Sequence, residues 1–241
     1  MANVPLLLEP NYGTNAMTYL QMLQRLQQES STSGTVPSTC QNVTGDLARL
    51  CGWINQAWVD IQNERSDWFF MEQPVSFNTI VGQQAYNAAQ AGLSSFANYD
   101  ISSFRQYNVS MGFGSEQRLL FAEYRRFRDL YQYATMRTTQ AMPVCFTVDY
   151  QKNILLGPIP DNVYCVNGLA YAKPTTFVND SDTPTMPAQY HMAIVWKALM
   201  YYGQFEAAPE ALEQGQMNYL RTMDQLYLDQ MPVMLFGEPL A

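Results

Sequence analysis

The stretch that decides the fold is SDTPTMPAQYHMAIVWKALMYYGQFEAAPEALEQGQMNYLRTMDQLYL, residues 181–228. It opens on Ser181-Asp182-Thr183-Pro184, a polar turn. Pro187 then fits the first turn of a helix, where a missing N–H costs nothing. Beyond it, His191, Ile194, Val195, Ala198, Leu199 and Tyr202 recur at steps of three and four, which is one apolar stripe on a helix. Gly203 and Pro209 interrupt the pattern, and a second run follows with Leu212, Met217, Leu220, Met223, Leu226 and Tyr227. Two amphipathic helices joined by a short break read as a helical hairpin. Neither helix can bury its stripe alone, so the hairpin needs a partner, and the other end of the chain offers one.

That partner is a helix in which Leu47, Leu50, Ile54, Ala57 and Ile61 hold a period near 3.6, with Trp58 beside them. Thr44 or Gly45 is placed to cap it, and it should end near Arg65. A shorter helix is expected over residues 15–28, with Met17, Leu20, Leu23 and Gln27 in line, followed by a Ser/Thr/Gly/Pro loop at 30–39. After this the period changes. Trp68, Phe70 and Glu72 begin an extended run, and Val75, Phe77 and Thr79 alternate inward and outward. Short strands are expected at 101–111, 119–121, 144–148, 153–156 and 164–171, bounded by Gly114, Pro143, Gly157-Pro158-Ile159-Pro160 and Pro174. Residues 124–133 read as one short helix, and the Ala-, Gln- and Asn-rich segment 82–98 as a long loop or weak turn. The fold class is therefore α+β: a helical bundle formed by N- and C-terminal helices, with an inserted small antiparallel β-sandwich or barrel. Residues 1–67 hold an N-terminal arm and the first helices of the helical body. Residues 68–178 are the inserted β-domain, 179–230 the helices that complete the body, and 231–241 an extended C-terminal arm.

Composition narrows the function. Hydrophobic residues make up 47% of the 241 and charged residues only 14%, so a real core is available under a lightly charged surface. Two readings of that surface stand side by side: one covered by other subunits, since interfaces favour Tyr and Met and deplete Lys, and an ordinary polar, uncharged one. The net charge of −8 argues against a nucleic-acid-binding module. Cys40, Cys51, Cys145 and Cys165 show no zinc spacing and read as free buried thiols of a reducing compartment. No basic segment followed by an apolar run marks a signal peptide, and no stretch of about 18 apolar residues marks a membrane span. Neither a cofactor nor a membrane is expected.

Catalytic patterns are sparse. The one histidine, His191, lies on the apolar helical stripe, where a hydrogen-bonded structural role outweighs a catalytic one. Gly112-Phe113-Gly114 lacks the third glycine and the following helix of a dinucleotide fingerprint. Asp180 and Asp182, just before a helix, fit turn chemistry better than cation binding. The one basic cluster is Arg125, Arg126 and Arg128. Residues 105–137 carry six Arg against Glu116, Glu123 and Asp129, whereas residues 204–241 carry Arg221 against six acids that include Glu206, Glu210 and Glu213. A basic middle and an acidic end make these residues candidate intersubunit contacts between neighbouring copies. A solvated surface with no special role stands equally beside that reading, with a DNA-gripping role for the arginines third. For the helical-body core the candidates are Leu50, Ile54, Ala57 and Ile61 against Ile194, Val195, Ala198 and Leu199.

The layout and certain residues together resemble the longer head-to-tail adaptor (connector) proteins of tailed bacteriophages, including the tubular adaptor of short-tailed phages. The carriers are Asn55-Gln56-Ala57-Trp58 with Ile61-Gln62, then Trp68-Phe69-Phe70, Phe77 and Tyr86. Further on come Pro143 through Asp149, LLGPIP from Leu155 to Pro160, Tyr171 with Pro174, and above all SDTPTMPAQYHMAIVWKALMYYG. The likeness covers about residues 40–230; each motif is weak alone, and their order carries it. The segment at 82–98 has no counterpart in it.

The resemblance implies a structural virion protein, not an enzyme. It implies a ring, usually a dodecamer, at the head–tail neck, assembled in the host cytoplasm. The ring would join the portal protein to a tail protein below (nozzle, tube or terminator) and would pass double-stranded DNA through its channel without sequence-specific binding. An acidic balance suits such a channel, because like charge keeps DNA from sticking. The C-terminal Pro232, Val233, Met234, Leu235 and Phe236, too few for a helix and too apolar for a free tail, are expected to form a portal-docking arm. The isolated protein is expected to be mostly monomeric and to form its ring on the portal. Two other classes stay open: another neck or tail-tube terminator or minor virion protein, and a carboxylate-based hydrolase.

Overall fold

The computed structural model describes residues 16–230. The chain divides into two compact units. Of the described residues, 16–70 and 174–230 form a helical unit, and Met71–Lys173 form a β unit.

The helical unit begins with α1 (Tyr19–Glu29). A reciprocal cap starts it: the Thr18 hydroxyl accepts from the Gln21 N–H at 3.3 Å, and the Gln21 side chain accepts from the Thr18 N–H at 2.9 Å. The polar turn at 178–182 completes the cap, because the Asp182 and Asp180 carbonyls accept from the N–H groups of Tyr19 and Leu20. Helix α2 (Asp46–Glu64) starts after Gly45, whose φ of 65° suits glycine, and Thr44 provides no cap. The C-terminal hairpin is α4 (Met192–Phe205) and α5 (Pro209–Gln230), with Pro209 as the first residue of α5. Helix α4 runs on past Gly203, which is an approach point and not a break. A Cβ there would sit 2.7 Å from the Leu212 backbone nitrogen, and one at Gly215 would sit 3.0 Å from the Trp196 carbonyl. The two glycines let α4 and α5 pack backbone against backbone.

Leu50, Ile54, Ala57 and Ile61 on α2, and Ile194, Val195, Ala198 and Leu199 on α4, are all buried, at 1% exposure or less. Burying each large side chain stabilises by about 1.5–3 kcal/mol. Trp68 and Phe70 do not open an extended run. Residues Phe69–Met71 make a single 3-10 turn, and the Trp68 indole N–H donates to the Ile61 carbonyl at 3.1 Å. The Trp68 ring stacks on Tyr227 and Phe70, so the aromatic residues that follow α2 seal the helical core.

The β unit has eight strands: β1 (Glu72–Asn78), β2 (Ala85–Tyr86), β3 (Asn98–Asn108), β4 (Gln117–Arg118), β5 (Leu120–Phe121), β6 (Cys145–Val148), β7 (Ile154–Gly157) and β8 (Tyr164–Tyr171). They form two four-stranded sheets, ordered β1-β8-β3-β4 and β2-β7-β6-β5. All pairs are antiparallel except β5 with β6. One core cluster draws on both sheets, including Val75, Phe104 and Val166 from the first and Phe146, Ile154 and Leu156 from the second.

The segment at 82–98, expected to be a bland loop, contributes Tyr86, Ala91, Leu93 and Phe96 to that core. The Tyr86 hydroxyl is spent on the chain itself, accepting from the Ile80 N–H at 3.0 Å and donating to the Gln83 carbonyl at 2.9 Å. Between β5 and β6 lies α3 (Tyr124–Tyr131). Its buried Phe127 clusters with Cys145 and Leu155, and a Cβ on Gly157 would come within 2.7 Å of the Phe127 and Tyr131 rings.

Candidate functional site

His191 is committed to the fold. Its ring is 1% exposed, Nδ1 accepts from the Met17 N–H at 2.9 Å, and Nε2 lies 3.0 Å from the Met186 carbonyl. A carbonyl only accepts and an N–H only donates, so the imidazole is neutral with its proton on Nε2. Burial holds its pKa below the usual histidine value. The Met17 N–H, which would have to be displaced from Nδ1 by a second proton, acts in the same direction, while the Met186 carbonyl that accepts from Nε2 opposes it. Both nitrogens are occupied, and neither is offered to a nucleophile.

The aspartates before the C-terminal hairpin do turn work. Asp180 accepts from the Cys40 N–H at 2.6 Å and the Thr39 hydroxyl at 2.7 Å, while Asp182 accepts from the Val178 and Asn179 N–H groups at 2.6 and 2.8 Å. Backbone hydrogen bonds are the leading cause that holds both carboxyls below the ordinary aspartate range. The thiols of Cys40, Cys51 and Cys145 are pushed up by burial, which makes them inert. Among the described residues, no group of His, Cys, Asp and Glu has the arrangement of a metal site, and no helix is long and apolar enough to cross a membrane.

What the molecule does present is two oppositely charged surfaces. On the β unit, buried Phe127 anchors α3 and turns Arg125, Arg126 and Arg128 outward. Arg128 lies against the rings of Tyr124 and Tyr133, 5.9 and 5.7 Å from their centroids, and donates to the Tyr133 hydroxyl at 2.8 Å. Arg137 is tethered through Nε to the Gln132 carbonyl at 3.2 Å. These side chains, together with Gln84, line an open cleft of roughly 230 Å³. None of the four arginines has an acidic partner among the described residues. The Gln84 amide nitrogen is shielded from solvent and meets no acceptor there.

On the helical unit, Glu206, Glu210 and Glu213 are all exposed at the α4–α5 turn and the start of α5. Sequence periodicity places Met217 and Leu220 on the buried stripe of α5, and the structure corrects this. The buried line is Gly215, Tyr219, Met223 and Leu226, whereas Met217 and Leu220 are 64% and 53% exposed. The close approach at Gly215 sets the rotation of the helix. At 3.6 residues per turn, positions two and five residues further along point away from α4. The outward face therefore carries Glu210, Glu213, Met217, Leu220, Asp224 and Leu228 in sequence.

The structure thus groups Arg128, but neither Arg125 nor Arg126, with Gln84, Gln132, Tyr133 and Arg137. These four other residues were not legible as a site, because Gln84 lies some forty positions before Arg128 and no motif spans the gap. The expected arm at Pro232, Val233, Met234, Leu235 and Phe236 lies outside the described residues. In comparison with known proteins, the family model described as SU10 adaptor protein matches residues 17–235. No curated protein matches the chain.

Proposed function

The chain belongs to the SU10 adaptor protein family, and from that premise we propose that it forms the ring that joins the portal to the tail at the neck of a phage particle. The family makes it a structural adaptor of the virion. The finer reading is a ring, a dodecamer, seated below the portal protein and above a nozzle, tube or terminator protein. Double-stranded DNA passes through its channel with no base-specific contact, and assembly takes place in the host cytoplasm.

The observation that carries this reading is the family match, which spans nearly all of the described chain. Two further features support it. The side chains with titratable chemistry, His191, Asp180 and Asp182, are held by backbone groups, and the charged surfaces stand unpaired on separate units. In this reading Pro232–Phe236 dock on the portal. Repeated around a ring, even a weak arm gains strength through avidity.

The test removes residues 231–241. The truncated chain should melt at the same temperature as the full chain yet fail to co-sediment with portal-bearing heads. A clear drop in melting temperature would show instead that the segment folds back on its own helical unit. Binding of the full chain to isolated tails but not to heads would replace the adaptor reading with that of a tail-tube terminator.

A further inference from the structure

Concavities on the described surface differ in what they leave unspent. The first, roughly 260 Å³, contains Arg49, which is already engaged: it faces Asp46 at 3.5 Å and lies 4.5 Å from the Phe205 ring centroid. Another, roughly 400 Å³, is bordered by Ile101, Phe121, Val148 and Tyr150, and its polar members are engaged: Lys152 donates to the Ala97 carbonyl and the Tyr99 hydroxyl to the Lys152 carbonyl. The Arg128–Arg137 cleft is different. Arg128 is pinned by two tyrosine rings and one hydrogen bond, Arg137 by its Nε, and their remaining guanidinium donors are unassigned. The shielded Gln84 amide nitrogen adds a further donor that no acceptor meets among the described residues. Buried donors are rarely left unmet in native proteins. Two fixed guanidinium forks beside an amide donor are the chemistry of carboxylate recognition.

We propose that this cleft seats the carboxylates of Glu210 and Glu213 from the α5 helix of a second copy of the chain. This rests on the ring reading above and names the lateral contact within it. Charge complementarity selects the occupant. Glu210 and Glu213 are exposed and have no cationic partner among the described residues, and they stand one turn apart on the face that also turns Met217 and Leu220 to solvent. Apolar rim chemistry is available on the other side, where Leu130 and Tyr133 are 46% and 45% exposed. The contact joins two different patches, so it is heterologous, and repetition closes a ring or propagates a chain of copies. A phosphate backbone is the lesser fit: the open cleft holds two arginines and not a basic stripe, and the protein as a whole carries a net charge of −8.

The experiment is a charge swap in the full-length chain, read in two ways: self-association by sedimentation equilibrium up to millimolar concentration, and the number of copies bound per portal-bearing head. Both patches are solvent-exposed, so melting temperatures should stay at the wild-type value and show that each variant folds. Arg128→Glu with Arg137→Glu should weaken self-association by about tenfold or more, and Glu210→Arg with Glu213→Arg should do the same. The fourfold variant, which restores opposite signs, should recover most of the loss.

Unchanged association in either double variant, no recovery in the fourfold variant, or no wild-type self-association by either readout would each overturn the proposal. So would loss of duplex-DNA binding in the arginine variant with self-association intact. The two claims fail separately. Head binding without the swap pattern would remove this contact and keep the adaptor, and the swap pattern in solution without head binding would keep the contact and remove the adaptor.

Discussion

Glu64 and Glu213 are carboxylates of the same helical unit put to opposite uses. Glu64, at the end of α2, accepts the hydroxyls of Tyr219 and Tyr227 and the ammonium of Lys197. One turn earlier Asp60 accepts the hydroxyl of Tyr201. Burial, helped by the Glu64 carboxylate, pushes the Tyr227 hydroxyl up to about 12, so these phenols stay protonated donors at any ordinary pH. Glu213 meets no donor among the described residues and faces solvent. In a chain with so few charges, an acid that is spent internally ties α2 to the C-terminal hairpin. An acid left unspent is available to another molecule.

The largest effect should come from placing a charge inside the helical core. Leu199→Asp buries an unpaired carboxylate at a fully covered site and should unfold the protein, a loss of several kcal/mol by urea or thermal melting. Leu220→Asp, which sequence periodicity alone would rank with it, should shift stability by no more than about 0.5 kcal/mol. If Leu220→Asp unfolds the chain too, the outward face of α5 is misread.

Next in size, Glu64→Ala strands the buried Tyr219 hydroxyl and should cost about 1–3 kcal/mol. Glu213→Ala should leave the melting curve unchanged. Equal effects from the two would erase the distinction between spent and unspent acids.

A smaller effect concerns pH. The native His191 pKa lies below its ordinary value of 6.5. Above 6.5 neither state binds a proton, and the full stability is present. As pH falls below 6.5 the unfolded chain takes up a proton that the native chain refuses. Stability is therefore lost between 6.5 and the native pKa, and it levels off below that. In urea titrations at stepped pH, His191→Gln should remove this slope, at an overall cost of about 1 kcal/mol. A slope that persists in the variant would assign it to other groups.

Much of this architecture was legible. Apolar steps of three and four identified α2 and α4, period-two alternation identified β1, and proline and glycine punctuation bounded β8 and the short strands around it. These patterns report which face of an element is covered, and covering faces is what the core does. The misses share a cause in long-range packing. Tyr86, Leu93 and Phe96 reach the β core from a segment with no period, in which only the two residues of β2 join a ladder. Met217 and Leu220 followed the helical rule, yet the approach of α4 at Gly215 rotated them outward. Trp68 and Phe70 looked like the start of a strand, but the Trp68 indole N–H donates to the Ile61 carbonyl and the pair folds back over α2. The cleft was hidden for the same reason: Gln84 and Arg137 become neighbours only after β2 has paired with β7.

The most direct measurement is single-particle imaging of portal-bearing, tail-less heads mixed with the purified full-length chain. We expect a closed ring of additional density at the portal vertex and nowhere else on the head, with the arginine-rich face of each β unit against the α5 helix of its neighbour. Heads that stay bare at saturating protein, or copies scattered over the capsid with no ring at that vertex, would contradict the assignment of this chain as the adaptor at the neck.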